Sequence, residues 1–331
     1  MFQIIMRLIL ILLAGALPAV SAADEILIRF SHVVEQGTPK GIGAELFKQK
    51  TEERLAGRVR VEVYPNSELY DDDTVLRRIV FGLEGAEFIA PSISKFRTIT
   101  KGLQVVDLPF LFDDVEAVHR FQGGPTGQLL LDSLTPTGVK ALAFWDNGMR
   151  VISATRPLRM PADVQGLRFR IVPSEIIEAQ YKALKAVTFE MPFSRVYETM
   201  ASGLIQGGEN SWSNIYASRF YEVHRYITET NHSYLGYVVA TSTRFWDSLP
   251  DDIRKQLTQI LAEVTEEVNR IAKEQARSSR QGVIDQGVEV IELTAEEREA
   301  WVTALKPVWQ QFEGEIGEEV IEAAVAANRN Q

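Results

Sequence analysis

The stretch FWDNGMRVISATRPLRMPADVQGLRFRIVP, residues 144–173, decides the fold. It reads as a loop, a strand, a Pro-marked turn and a second strand. Val151 and Ile152 follow Arg150, and Leu167, Phe169 and Ile171 alternate with Arg168 and Arg170, the period-two pattern of a half-buried strand. Successive side chains on a strand point to opposite faces, so Arg168 and Arg170 leave the face that carries Leu167, Phe169 and Ile171. Arg150 thus opens one strand and Arg170 ends the next. If these strands share a sheet, both guanidinium groups face one cleft. A planar fork of donors suits a carboxylate held through two parallel hydrogen bonds. Spacing alone equally allows two arginines that are solvated or paired with surface carboxylates.

Upstream, strands and helices alternate. Ile26, Ile28 and Phe30 predict a first strand, Lys40–Arg54 a helix, and Val59, Val61 and Val63 a second strand. A helix bearing Val75, Leu76, Ile79, Val80 and Leu83 follows, then a third strand at Phe88–Ala90. Asp71–Asp73 precede that helix; they complement the positive end of its dipole more simply than they bind a cation. This succession is an α/β signature, and ligands in such sheets gather beyond the carboxyl ends of the strands. Loops Ser31–Lys40 and Pro91–Ser94 fall at such ends and are candidates for one wall of a cleft. They contain His32, Lys40 and Ser92, whose plainer readings are a loop histidine, a solvated lysine and a turn-forming serine. Leu103–Phe112 is an apolar run suited to core. Val139–Phe144 predicts another strand, and Trp145-Asp146-Asn147-Gly148 a crossing between domains, with a glycine that suits a hinge.

Downstream the α/β pattern repeats. Pro173-Ser174 starts a helix through Leu184, and Phe193-Ser194 another ending near Gly203, with Val196, Met200 and Leu204 on its apolar side. Phe193 fits either a ligand's carbon skeleton or the core. Gly207-Gly208-Glu209-Asn210 reads as a tight connection whose glycines let the backbone approach a ligand; Asn210 is a turn residue or an amide donor to a carboxylate. Tyr226–Thr228 and Tyr237–Thr241 read as strands returning to the first domain. From Pro250, the stripe Ile253, Leu257, Ile260, Leu261, Val264, Val268 and Ile271 predicts a helix to about Arg280, long enough to brace both domains. Thr294 and Glu297 form a capping box before a helix whose Trp301, Leu305, Val308, Trp309 and Phe312 face inward.

Composition bounds the class. Residues 1–23 read as a signal peptide: Arg7 is its one charge, Leu8–Leu17 an apolar run, and Val20-Ser21-Ala22 a small-residue cleavage region near Ala22 and Ala23. That run is shorter than the roughly 20 apolar residues of a spanning helix, so the mature chain is expected to be periplasmic and not inserted in a membrane. The chain carries 35 basic and 45 acidic residues; removing Arg7 leaves 34 against 45, a net of −11. An acidic surface argues against nucleic acid and anionic membrane as partners. It also repels an anionic ligand at long range, so an acid-binding site must rest on local cations. Without cysteine there is neither a disulfide framework nor thiol chemistry. The four histidines lack metal-ligand spacing, and no HExxH, G-x-S-x-G or P-loop occurs. KGIGAEL at Lys40–Leu46 has two of the three glycines of a dinucleotide motif and no strand directly before it. No metal, cofactor or catalytic role is therefore expected.

Much of the chain carries a resemblance. NGMR, RP, PADVQGLRFRIVP and MPFSRVYETMASGLIQGGENSWSNI are similar to the solute-binding proteins of tripartite ATP-independent periplasmic (TRAP) transporters. SHVVEQGTPKG, VYPNSELYDDD, APSISKF, DLPFLF, FWDNGMR, TNHSYLGYVV and FWDSLPDDIR resemble the four-carbon-dicarboxylate-binding (DctP) branch. The resemblance implies a two-lobed α/β receptor with a hinge and a long bracing helix. One lobe would comprise residues 24–147 with about 236–275, the other 148–235 with about 276–331. It implies that Arg170 clamps a carboxylate, that Arg150 and Asn210 assist, and that Lys40, His32 and Ser92 are candidates for a second carboxylate. Phe193, Asn147 and Trp212 complete the candidate site. Where relatives carry an acidic residue this chain has Gly207-Gly208, and Trp212 stands near a usual proline, which leaves pocket size open. The implied partners are a small organic acid and the small and large membrane subunits of the transporter. A sugar-acid receptor, a signalling receptor and a periplasmic enzyme are the alternatives.

Overall fold

The computed structural model describes residues 25–329, so the leader-like segment 1–23 lies outside them. Strands β1 (Ile26–Ser31), β2 (Val59–Tyr64), β3 (Phe88–Ile89) and β4 (Val139–Met149) form a first sheet with a strand from much later in the chain, Tyr234–Ser242. A second sheet holds β5 (Val151–Ala154), β6 (Arg168–Ile171), β7 (Val187–Glu190), β8 (Gly207–Asn210), β9 (Tyr226–Thr228) and the last strand, Glu289–Ile291. The two late strands are β10 and β11 in chain order. The sheets run β2-β1-β3-β10-β4 and β11-β9-β5-β8-β6-β7. In the first, β1 is parallel to β2 and β3, and β10 is antiparallel to β3 and β4. In the second, β5 is antiparallel to β8 and β9 and the other pairs are parallel. Each sheet is the centre of one lobe.

Helices α1 (Pro39–Arg54) and α2 (Asp72–Val80) make the right-hand connections of the first sheet and fix what stands at its strand ends. Thr38 Oγ1 accepts from the Gly41 N–H at 3.3 Å and Asp71 from the Thr74 N–H at 2.8 Å. These caps satisfy N–H groups that a helix start leaves open. Beneath the sheet, Phe47 stacks on Phe88 with centroids 5.0 Å apart, and Phe30 on Trp145 at 5.7 Å.

The helix Asp251–Asp285, 35 residues long, joins the lobes. Its Ile253, Leu257, Ile260, Leu261, Val264 and Val268 belong to the first lobe's core around Trp145. Its Val283 packs in the second lobe with Trp212, Ile215 and Ile227. Polar pins set its register: Trp145 Nε1 donates to Thr265 Oγ1 at 3.0 Å, the Asp146 N–H to Asn269 Oδ1 at 3.1 Å, and Arg280 makes two bonds to Glu229 at 2.8 and 2.9 Å. The closing helices Val308–Ile316 and Glu318–Ala327 bury Val308, Ile316, Ile321 and Ala324 with Val118 and Phe121 of the first lobe.

Several local expectations are corrected. Trp145–Gly148 is not a crossing: β4 runs on to Met149, because β10 pairs with it as far as Tyr234 opposite Met149. Gly207–Asn210 is not a turn but β8, in the middle of the second sheet between β5 and β6. Of the two later strands only β10 returns to the first sheet; β9 pairs with β5 and β11. Leu83 and Leu204 fall beyond their helices and are about half exposed, at 50% and 49%. Pro307 divides the last predicted helix into Ala295–Leu305 and Val308–Ile316.

The glycines of β8 serve packing. A Cβ at position 207 would stand 2.3 Å from the Phe169 ring. Gly207→Ala is therefore expected to cost about 1–3 kcal/mol through overpacking. Urea denaturation measures it, and an unchanged midpoint would mean that the Phe169 ring moves aside freely.

Candidate functional site

A single residue separates the last strand of the first sheet from the first strand of the second: β4 ends at Met149, β5 starts at Val151, and Arg150 lies between. The chain crosses back between β9 and β10, and there the Arg150 N–H donates to the Ser233 carbonyl at 2.8 Å. Both of these short crossings are thereby tied at Arg150; the helix Asp251–Asp285 makes a further one, from β10 to β11. The Arg150 side chain, 1% exposed, is mostly engaged within the protein. Nε donates to the Tyr234 carbonyl at 3.2 Å, Nη1 is ion-paired with Glu209, and Nη2 donates to Ser94 Oγ at 3.2 Å and lies 3.5 Å from Asp107. The acids are held in turn: Glu209 accepts from the Val172 N–H at 3.2 Å, and Asp107 from the hydroxyls of Ser94 and Ser174 at 2.8 and 2.9 Å. Burial works against the Arg150 charge, but Glu209 and Asp107 outweigh it and raise its pKa. Burial pushes the Asp107 carboxyl up to about 6 against the pull of Arg150.

Arg170 is the contrast. It is 4% exposed, its Nη2 donates to the Met191 carbonyl at 3.1 Å, and its Nε is buried without a partner. No carboxylate among the described residues lies within ion-pair distance of it. Burial lowers its pKa to about 10, with Glu209 acting in the other direction, so it remains charged at neutral pH. The alternation of β6 accounts for its position: Phe169 and Ile171 enter the second lobe's core, and Arg170 leaves it for the other face. The Phe193 ring centre lies 6.0 Å from its guanidinium carbon.

Arg150 and Arg170 both line a partly open cleft between the sheets. The second lobe adds Asn210, Asn214 and Phe193; the first adds Lys40, Ser92, Lys95, Tyr237 and Asp71–Asp73. Lys40 is fully buried, donates to the Ala90 carbonyl at 2.9 Å and sits 3.8 Å over the Tyr237 ring. Burial draws its pKa down to about 8, with Asp72 opposing. Asn210 accepts from Asn214 at 2.9 Å, and the buried Ser92 hydroxyl has no partner.

Six residues singled out from sequence thus meet in this cleft: Arg170, Arg150, Asn210, Phe193, Ser92 and Lys40. His32, Asn147 and Trp212 do not line it. His32 is buried with both ring nitrogens unpartnered, and burial together with the Lys40 charge lowers its pKa to about 3. Asn147 donates to the Tyr237 hydroxyl at 2.9 Å and to Ser211 at 2.7 Å, which places it behind the cleft wall. Trp212 faces a separate cavity beside the bracing helix. Lys95, Asp72, Tyr237 and Asn214 line the cleft without having been singled out. Lys95 lies one turn past Ser92, just beyond the suspected loop Pro91–Ser94. Tyr237 shares a face of β10 with Leu235, which also lines the cleft, while the next residue, Val238, enters the opposite core. Those two signals were present; for Asp72 the helix-start reading hid it, and Asn214 carried no signal of its own.

Two sheets joined at short crossings and by a bracing helix, with a cleft between them that holds the unpaired cations Lys40 and Arg170, have the architecture of a solute receptor. The chain belongs to the bacterial extracellular solute-binding proteins, family 7, whose family model matches residues 30–315. It is 48% identical over 318 residues to the C4-dicarboxylate-binding periplasmic protein DctP of Shewanella loihica, covering 96% of this chain and 94% of that one. A TRAP periplasmic solute-binding protein from Shewanella oneidensis with bound succinate superposes with a TM-score of 0.90 at 45% identity, over 92% of this chain and 100% of that one. One from Pseudomonas aeruginosa with bound L-malate gives a TM-score of 0.83 at 44% identity, over 86% and 99%. No described helix is long and apolar enough to cross a membrane.

The two arginines are expected to separate in their effects on the empty protein. Arg150→Ala leaves Glu209 and Asp107 buried without their cation and should cost about 3–5 kcal/mol of stability. Arg170→Ala removes a buried charge that has no anion and should leave stability near wild type. Denaturation of both variants without ligand checks this; equal losses would contradict the assignment of pairing.

Stability should also fall in acid. His32, His224 and His232 have pKa values lowered to about 3, 4 and 3, burial being the first cause in each. The unfolded chain takes up these protons near the ordinary value of about 6.5. Their contribution is therefore full above that pH and is lost as pH falls toward the folded values. Asp107, raised in the fold, acts with the opposite sign between its unfolded value and about 6. Asp72, also raised by burial, acts the same way as Asp107. Three groups still outweigh two, so urea midpoints should drop from about pH 6.5 to 4, and His224→Gln should flatten the profile. A flat wild-type profile would refute this.

Proposed function

We propose that the chain is the extracytoplasmic receptor of a TRAP transporter and binds a four-carbon dicarboxylate such as succinate, malate or fumarate between its lobes. The observation that carries the reading is Arg170: a buried guanidinium, unpaired and cleft-lining, that a carboxylate would neutralise. It grips one carboxylate through two parallel bonds, with Asn210 and the donors left over on Arg150 fixing the orientation. Lys40 and Ser92 meet the second carboxylate from the other lobe, and Phe193 lies against the carbon chain. A ligand that touches both lobes stabilises the closed arrangement, because only that arrangement satisfies both ends. Closure also excludes water, which strengthens the charged bonds. The role is carriage, not turnover. The leader exports the chain to the periplasm, and the loaded receptor delivers its acid to the small and large membrane subunits, driven by an ion gradient, usually of sodium. The relatives that bind succinate and malate support the choice of acid.

A thermal-shift panel of dicarboxylates, uronates, sialate, aromatic acids and 2-oxo acids tests the ligand class. A dicarboxylate at about 100 times its dissociation constant should stabilise the protein by ~2.7 kcal/mol. A response to uronates alone would turn the assignment to a sugar acid. Arg170→Ala should weaken dicarboxylate binding by about 2–5 kcal/mol in calorimetry; affinity within about threefold of wild type would refute the clamp.

A further inference from the structure

The charges around the cleft already balance when it is empty. Four cations line it, Lys40, Lys95, Arg150 and Arg170. Four anions answer them: Asp72 and Asp73 in the lining, with Glu209 and Asp107 behind Arg150. Asp71, partly buried in the same lining, is left out of this balance because its carboxylate caps α2. Most of these charges are engaged pairwise. Arg150 holds Glu209 and Asp107, and Lys95 is 2.5 Å from Asp73. Lys40 and Arg170 remain for a ligand, with Asp72 facing the same space. Asp72 is 8% exposed and has no ion pair within 4 Å among the described residues; the Ser92 backbone N–H is its hydrogen-bonding neighbour and works with the lysines to hold its pKa down. A dianion would bring two negative charges to two free cations beside a third negative charge already buried. That excess is costly in a site closed to water.

We infer that Asp72 takes up a proton when the lobes close on a dicarboxylate dianion, so that the receptor binds its acid together with one proton. The inference rests on the dicarboxylate reading above. The surroundings of Asp72 favour this carboxyl as the acceptor. Lys40 on α1 and Lys95 past β3 face it, with Tyr237 on β10 and Arg170 across the cleft; Asp73 adds a like charge from its own helix. Burial pushes the Asp72 carboxyl up in the empty protein, with Lys40 and Lys95 opposing. A ligand carboxylate placed on Lys40 removes much of that opposition and supplies a further negative charge, and both effects favour the protonated form. Asp107 is the competing acceptor, but it lies outside the cleft lining and is held by Ser94, Ser174 and Arg150. Neutral, Asp72 becomes a hydrogen-bond donor toward the bound acid.

Calorimetry of fumarate binding, in buffers of equal pH and different ionisation enthalpy, counts the protons. Near pH 6.5 both fumarate carboxyls are ionised and Lys40 is already protonated, so uptake there reports a carboxyl or a histidine of the protein. Wild type should take up on the order of one proton per fumarate, and its affinity should fall about tenfold per pH unit as pH rises. Asp72→Asn should show no dependence on buffer and a nearly flat affinity over the same range. Binding of fumarate by wild type without proton uptake overturns the inference without any variant. Wild-type uptake persisting in Asp72→Asn also overturns it, by placing the proton on Asp107 or His32. No binding heat from succinate, malate or fumarate would instead overturn the dicarboxylate reading, and this inference with it.

Discussion

The structure depends on one buried ion cluster, Arg150 with Glu209 and Asp107. Arg150 is the whole of one interlobe crossing, and its backbone holds the other short crossing through Ser233. Its side chain ties three parts of the molecule together: β8 through Glu209, the first lobe through Ser94 and Asp107, and the helix start at Ser174 through the same Asp107. Buried pairs of this kind add little net stability compared with apolar packing, because both charges leave water. Their value lies in geometry. A charge cluster fully satisfied in one arrangement penalises every other arrangement of the two strands and the loop that share it.

That cluster also decides which cation is left for a guest. Two arginines border one cleft, and sequence spacing treats them alike. The structure does not: Arg150 meets two carboxylates, and Arg170 meets a single carbonyl. Keeping Arg170 dry and unpaired costs folding free energy, and a bound anion returns it. The acidic surface makes the same demand from outside. With a net charge of −10 over the chain, long-range steering opposes an anion, so affinity has to come from contacts inside the cleft.

Wherever pattern is imposed by burial, the sequence was readable. Leu167, Phe169 and Ile171 are buried and Arg170 leaves their face because a strand has a period of two. The stripe from Ile253 to Val268 lies against one core because a helix has a period near 3.6. Thr38, Asp71, Ser174 and Thr294 cap helices, and their chemistry is local. What escaped was set by distant neighbours. Gly207 and Gly208 look like a turn until Phe169 and Met200 are seen in the space their side chains would fill. Trp145 to Met149 look like a linker until β10 arrives from ninety residues further on. Asp72 looks like any acid at a helix start, and in part it is one; only the fold brings Lys40 and Tyr237 against it. Trp212 is a pocket candidate from its place near a usual proline of the resembled family, yet it packs with Ile215 and Val283 and borders a different cavity.

The bracing helix explains why the cleft, and not the back of the molecule, is where the lobes part. Its first half is locked to β4 by Thr265 and Asn269 and by the apolar stripe, and its second half to the other lobe by Val283 and the Arg280–Glu229 pair. A helix fixed at both ends acts as a strut along one side of the hinge. The crossings at Arg150 and at Glu229–Ser233 lie beside it, and in the proposed receptor the lobes would rotate there and part on the face away from the strut. That face carries Lys40 on one lobe and Arg170 on the other, each buried and each facing the guest's side of the cleft. Two like charges brought together by closure repel, and water screens them while the cleft is open. An anion between them reverses the sign of that interaction, so in the proposed receptor the charge arrangement itself would make closure depend on cargo.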